Sequence, residues 1–154
     1  MDLLLWRHAH ARDAQPGESD RDRPLTIKGQ LQAKKMAGWL RLHIPPNTLV
    51  LSSPALRTLQ TVQALGQPFN ISEAIRPEGN PSEFISASQW PESTVPVLMV
   101  GHQPTLSQVA SRLLWGADSS PLPFRKGSLW WLRLRDRQGC TQTQLITVID
   151  PEFL

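Results

Sequence analysis

Leu3-Leu4-Leu5-Trp6-Arg7-His8-Ala9 is an apolar run of strand length that stops abruptly on an arginine and a histidine. The run does not alternate with polar residues, which is the pattern of a buried strand. A cationic pair at the end of such a strand is costly unless something compensates it. The natural partner is an anion.

Working outward, strands and helices alternate. Ala9–Pro24 is polar and carries Pro16, Gly17 and Pro24, so a loop is expected there. Thr26 is placed to cap a helix in which Leu31, Ala33, Met36, Ala37 and Leu40 recur at helical spacing, and Pro45-Pro46 stops it. Leu49–Leu51 reads as a second short strand. Ser53-Pro54 is expected to open a helix, with serine as cap and proline at the first helical position, running to about Leu65 and ended by Gly66. Asn70–Ile75 is expected to be a short strand, Pro77–Pro81 a loop and Ser82–Gln89 a helix. Val97–Val100 is a continuous apolar run ending at Gly101-His102, followed by a helix from Thr105 to Leu114. Ser128–Leu134 and Gln144–Ile149 alternate as strands, joined by a hairpin turn at Asp136-Arg137-Gln138-Gly139.

Strands alternating with helices predict an α/β fold with a mostly parallel central sheet, to which the closing hairpin adds antiparallel strands. The 154 residues suffice for a single domain, 1–154, with a real core. Ligands of such sheets bind at the carboxyl ends of the strands. Three expected strands end in residues suited to chemistry: Arg7-His8, Ser53 through Arg57, and Gly101-His102.

Composition narrows the partners. Hydrophobic residues make up 40% and charged residues 19%, ordinary for a globular protein. No apolar stretch approaches the roughly 20 residues that span a bilayer, and no signal peptide precedes the first strand, so a cytoplasmic protein without a membrane partner is the expectation. Cys140 is the single cysteine and has no metal-ligand spacing around it. The net charge of +3 is spread among acids, as in Arg21-Asp22-Arg23, and forms no basic run, which argues against nucleic acid.

Phosphoryl transfer spreads charge over three oxygens and needs fixed positive charge, hydrogen-bond donors and an in-line nucleophile. Arg7 and Arg57 each offer a planar fork to phosphate oxygens. Arg57 falls in the first turn of its helix, where free backbone N–H groups and the helix dipole favour anions. His102 can donate to a phosphate oxygen. His8 would be the nucleophile, with nearby arginines lowering its pKa and an acceptor fixing its tautomer. Taken singly, each residue has a structural explanation: Arg7 could pair with Asp20 or Asp22, Arg57 could be a solvated helix residue, and His102 a turn residue.

These residues stand in four blocks: Leu-Leu-Leu-Trp-Arg-His-Ala at 3–9; Arg23-Pro24-Leu25-Thr26 with Gly29; Ser52-Ser53-Pro54-Ala55-Leu56-Arg57-Thr58 with Thr61; and Val100-Gly101-His102-Gln103-Pro104. In order and spacing the chain resembles the histidine phosphatase superfamily, and its short length, Arg-His-Ala and Arg-Pro-Leu-Thr resemble the small SixA-like branch of phosphohistidine phosphatases. The resemblance implies a three-layer α/β/α sandwich of the phosphoglycerate mutase-like kind. It implies that His8 becomes phosphorylated, that Arg7, Arg57 and His102 bind the phosphoryl group, and that neither metal nor cofactor is required. Arg23 matches a position where an arginine can reach the pocket. Ser53 and Thr58 are expected to cap and pack.

Larger relatives in the superfamily carry an acidic proton donor after the third strand. Here that region is Ile75-Arg76-Pro77-Glu78-Gly79-Asn80-Pro81, with Glu78 the nearest candidate and Glu83 behind it. An alkoxide needs such an acid, whereas a phosphorylated imidazole can leave already protonated. A poor acid and the lack of a lid-sized insertion therefore favour a histidine-phosphorylated protein as substrate, releasing inorganic phosphate. The alternatives are a phosphatase acting on a range of small phosphate esters and a module that binds phosphate or phosphoprotein without turnover. His10 could touch the pocket rim, Arg12, Arg21 and Arg23 could form a basic rim, and Trp90 and Trp115 are expected to be partly exposed.

Overall fold

The computed structural model describes residues 1–116 and 122–154. Among them, strands β1 (Asp2–Arg7), β2 (Leu49–Ser52), β3 (Asn70–Ile71), β4 (Val97–Gly101), β5 (Leu129–Arg137) and β6 (Cys140–Ile149) form one sheet in the order β3-β2-β4-β1-β5-β6. β3, β2, β4 and β1 are mutually parallel, and β5 and β6 add antiparallel strands beyond β1. The mostly parallel α/β sheet with its antiparallel C-terminal hairpin is as expected.

Helices α1 (Ile27–His43) and α2 (Leu56–Gln63) cover one face, and α3 (Pro81–Ala87) and α4 (Thr105–Trp115) the other. The pleat of β1 divides between the two layers. Leu4 and Trp6 pack with Met36, Ala37 and Leu40 of α1 and Val62 of α2. Leu3 and Leu5 pack with Phe84 of α3 and Leu106, Val109 and Ala110 of α4. A strand that buries both faces cannot alternate in polarity, which is why the opening apolar run decides the fold. No described helix is long and apolar enough to cross a membrane.

Local differences have local causes. Asn70–Ile75 divides into two residues of β3 and a 3₁₀ turn at Glu73–Ile75 that buries Ile75. The hairpin is longer than expected: β5 runs through Arg137 and β6 starts at Cys140, with the turn confined to Gln138 and Gly139, both at positive φ. α3 starts at Pro81 behind an Asn80 cap and ends before Gln89, which takes φ 53°. Of the two tryptophans expected to be partly exposed, Trp90 is buried and Trp115 is 59% exposed.

Two glycines fix close approaches that the site depends on. A Cβ on Gly29 would collide with the His10 carbonyl oxygen, so glycine lets α1 lie against the loop that follows β1. A Cβ on Gly101 would lie 2.9 Å from the Phe84 ring, directly before His102.

Candidate active site

The carboxyl ends of β1, β2 and β4, neighbours in the sheet, open on a cavity of about 270 Å³ lined by Arg7, His8, Asp20, Arg23, Arg57, Pro77, Glu78, His102, Gln103 and Lys126. All six residues singled out in the sequence (Arg7, His8, Arg23, Arg57, Glu78 and His102) therefore line one cavity.

His8 is held by its backbone from both sides. Its N–H donates to the Gly101 carbonyl and its own carbonyl accepts from Gly127 N–H. The ring Nδ1 lies 2.8 Å from the Ala9 carbonyl oxygen. A carbonyl can only accept, so Nδ1 carries the proton and Nε2 keeps its lone pair. The side chain is almost entirely buried, at 6% residue exposure. Burial first, then the charges of Arg57, Arg7 and Lys126, push its pKa down to about 3 against the hydrogen bond to Ala9. His8 is thus a neutral imidazole at neutral pH, with one nitrogen available.

His102 follows β4, and its ring lies 5.2 Å from that of His8, centroid to centroid. Burial first, then the repulsion that a second protonated ring at His8 would meet and the charge of Arg57, bring its pKa to about 2. Its Nε2 is 2.7 Å from Ser53 Oγ. Ser53 therefore does not cap a helix as expected. α2 begins at Leu56 with Ala55 as cap residue and no side-chain cap, because Ser53 and Pro54 lie in the bend between β2 and the helix. Ser53 Oγ accepts from Ala55 N–H and supports His102, a role that no local sequence pattern signals.

Arg57 is the second residue of α2 and is 4% exposed. Its Nη1 donates to the Asp20 carbonyl and its Nη2 to Asp20 Oδ2 at 2.8 Å. Arg7 donates through Nη1 to the Phe124 carbonyl. Asp20 does not pair with Arg7; it bridges Arg57 and Arg23, whose Nη1 reaches Oδ1 at 2.7 Å. Among the described residues Arg7 Nε, Arg57 Nε and His102 Nδ1 are buried without a hydrogen-bond partner. Buried donors in native proteins are nearly always satisfied, and all three of these residues line the cavity.

The remaining expectations separate. Glu78 lies at the mouth, exposed, in a left-handed conformation with φ 59° that is uncommon for a residue with a Cβ. His10 hydrogen-bonds Thr26 Oγ1 at 2.9 Å and lines an adjoining cavity that shares Lys126 with this one. Of the three arginines expected at a basic rim, Arg23 lines this cavity, and Arg12, Arg21 and Arg23 are ion-paired with Glu18, Glu73 and Asp20. Gln103, from the Val100–Pro104 block but given no role there, and Lys126, with no signal in the local sequence, also line the site.

The neutral histidines couple stability to pH. In the unfolded chain histidine takes up a proton near 6.5, whereas folded His8 does so near 3. Between these values the unfolded state binds more protons, so stability falls as the pH drops through that window. Replacing His8 with Asn is expected to flatten the pH dependence of the urea midpoint there, and identical slopes for both proteins would refute the buried neutral ring.

Residues 3–78 match the histidine phosphatase superfamily (branch 1). The chain is 31% identical to the phosphohistidine phosphatase SixA of Escherichia coli over 125 residues, which is 75% of this chain and 76% of that protein. It is 28% identical to a phosphohistidine phosphatase SixA homolog of Haemophilus influenzae over 139 residues, covering 80% and 82%. The solved structure of the protein histidine phosphatase SixA complexed with tungstate matches 99% of both chains with a TM-score of 0.79 at 25% identity. Fold, cavity and sequence together place the chain in the histidine phosphatase superfamily, a family of phosphatases. Within it the chain is SixA-like, and the fold is the three-layer α/β/α sandwich of that group.

Proposed function

We propose that this protein removes the phosphoryl group from a phosphohistidine borne on a protein, through a phosphohistidine intermediate at His8, without a metal or cofactor. The observation that carries the proposal is the His8 ring: neutral, tethered at Nδ1 and free at Nε2, in a cavity lined by the buried Arg57 and the half-buried Arg7. Arg7 and Arg57 supply the fixed charge that phosphoryl transfer needs, and His102 lies beside the acceptor ring. The SixA structure named above holds tungstate, a tetrahedral oxyanion like phosphate. Asp20 and Glu78 are exposed at the mouth, so among the described residues the cavity is open on the side from which a phosphohistidine on a protein surface would approach.

A panel of histidine-phosphorylated protein, free N-phosphorylated histidine, sugar phosphates and aryl phosphates, run with and without a chelator, tests the proposal. Phosphohistidine protein is expected to be the best substrate and chelation to have no effect. Far faster turnover of sugar phosphates would replace this function with that of a small-molecule phosphomonoesterase, for which the carboxylate of Glu78 in the cavity speaks. Glu78 is proposed as the proton donor to ester leaving groups. General acids contribute about 10²–10⁴-fold, so Glu78→Gln should slow hydrolysis of an alkyl phosphate at least about tenfold more than that of phosphohistidine. Equal losses on both would remove Glu78 from that role.

A further inference from the structure

In the cavity Arg57 meets a carboxylate at the place where a phosphoryl group is to bind. Asp20 accepts from Arg57 through Oδ2 and its backbone carbonyl, and from Arg23 through Oδ1. Burial opposes its ionisation, but the two arginines prevail and hold its carboxyl below the usual range. Asp20 is therefore a fixed negative charge and not a proton donor at neutral pH.

The cavity is layered by depth. His8, His102 and Arg57 lie on the floor, nearly inaccessible, whereas the Asp20 side chain is 53% exposed and Glu78 is exposed at the mouth. In-line displacement puts the leaving group opposite the attacking atom. With His8 attacking from the floor, the leaving group faces the mouth, on the side of Asp20.

We infer that Asp20 determines specificity: its carboxylate favours a phosphoryl group carried on a positively charged ring, an imidazole protonated at its other nitrogen, and disfavours free phosphate. The inference rests on the phosphoryl-acceptor role proposed for His8. In the first step the Nε2 lone pair of His8 forms a bond to phosphorus. The P–N bond of the substrate breaks, and its electron pair returns to the substrate ring nitrogen. That ring, protonated at its other nitrogen, leaves as neutral imidazole, while phosphorylated His8 keeps its Nδ1 proton on the Ala9 carbonyl. Water then attacks phosphorus, the bonding pair returns to Nε2, and phosphate departs as the monoanion with both protons of the water. Asp20 exchanges no proton. It attracts the positive charge that the phosphorylated ring carries into the cavity and keeps in part until the P–N bond is broken, and it repels a phosphate that has lost its cationic carrier.

The competing role, merely holding Arg57 in place, differs in sign. Asp20→Asn keeps the shape and an oxygen acceptor but removes the charge. The experiment compares kcat/KM of wild type and variant on N-phosphorylated histidine and on p-nitrophenyl phosphate, whose leaving group gains negative charge. It also measures the Kd of inorganic phosphate by calorimetry. Removing one charge near the leaving group is expected to lower kcat/KM on phosphohistidine about tenfold, raise it on p-nitrophenyl phosphate and tighten phosphate binding about tenfold. Losses on both substrates with weaker phosphate binding would mean that Asp20 only positions Arg57. Gains on both would mean that it only obstructs the cavity, and no change would deny it any role; each result overturns the inference. A wild type that hydrolyses p-nitrophenyl phosphate but not phosphohistidine defeats the substrate proposal and this inference with it. Turnover of both by wild type, with parallel changes in the variant, defeats the inference alone.

Discussion

His8→Ala is expected to retain the fold and lose at least about 10³-fold in turnover, together with all covalent labelling by phosphate. The wild-type ring is buried and neutral, with its backbone anchored by Gly101 and Gly127 independently of the side chain. Truncation removes the Ala9 hydrogen bond but also relieves the desolvation of a buried imidazole. The sheet register, set by the apolar side chains of β1, does not depend on it. Rapid quench after mixing with a ³²P-labelled phosphodonor should trap an acid-labile, alkali-stable phosphoprotein with the wild type only. Labelling of the alanine variant would place the acceptor elsewhere and dismantle the mechanism.

Arg57→Ala should lower kcat/KM about 10²–10⁴-fold with the fold intact. A guanidinium can give a phosphoryl group two charge-assisted hydrogen bonds of about 1.5–3 kcal/mol each, and each 1.4 kcal/mol is tenfold in rate. Arg57→Lys should rescue little, because an ammonium cannot present the planar fork. The same substitution removes one of the charges that depress the His8 pKa, so that pKa should rise in the alanine variant while burial still holds it below 6.5. NMR titration of the His8 ring would show this, and full activity in Arg57→Ala would take the residue out of the site.

Much of this was legible in the chain itself. The uninterrupted Leu3–Trp6 run marked a strand buried on both faces, and it is the central strand on which both layers pack. Arg7-His8, Arg57 and His102 were readable because strand ends in a parallel sheet converge on one edge. Boundaries were read less well where tertiary contacts overrode local preference. Ser53-Pro54 has the form of a helix start, yet the serine hydroxyl is drawn to His102 and the helix begins at Leu56. Asn70–Ile75 is apolar enough at its end for a strand, but Ile75 is buried from within a 3₁₀ turn.

The sequence alone determined the class of fold, the order of its strands and helices and the residues able to handle a phosphoryl group, since periodicity and residue chemistry are local properties. Only the tertiary structure decided which charges meet. Asp20 was available to Arg7 by sequence but bridges Arg57 and Arg23, and Lys126 enters the cavity from the segment before β5. Electrostatic partners are chosen by distance in space and by shared burial, and neither is written in the spacing of residues along a chain.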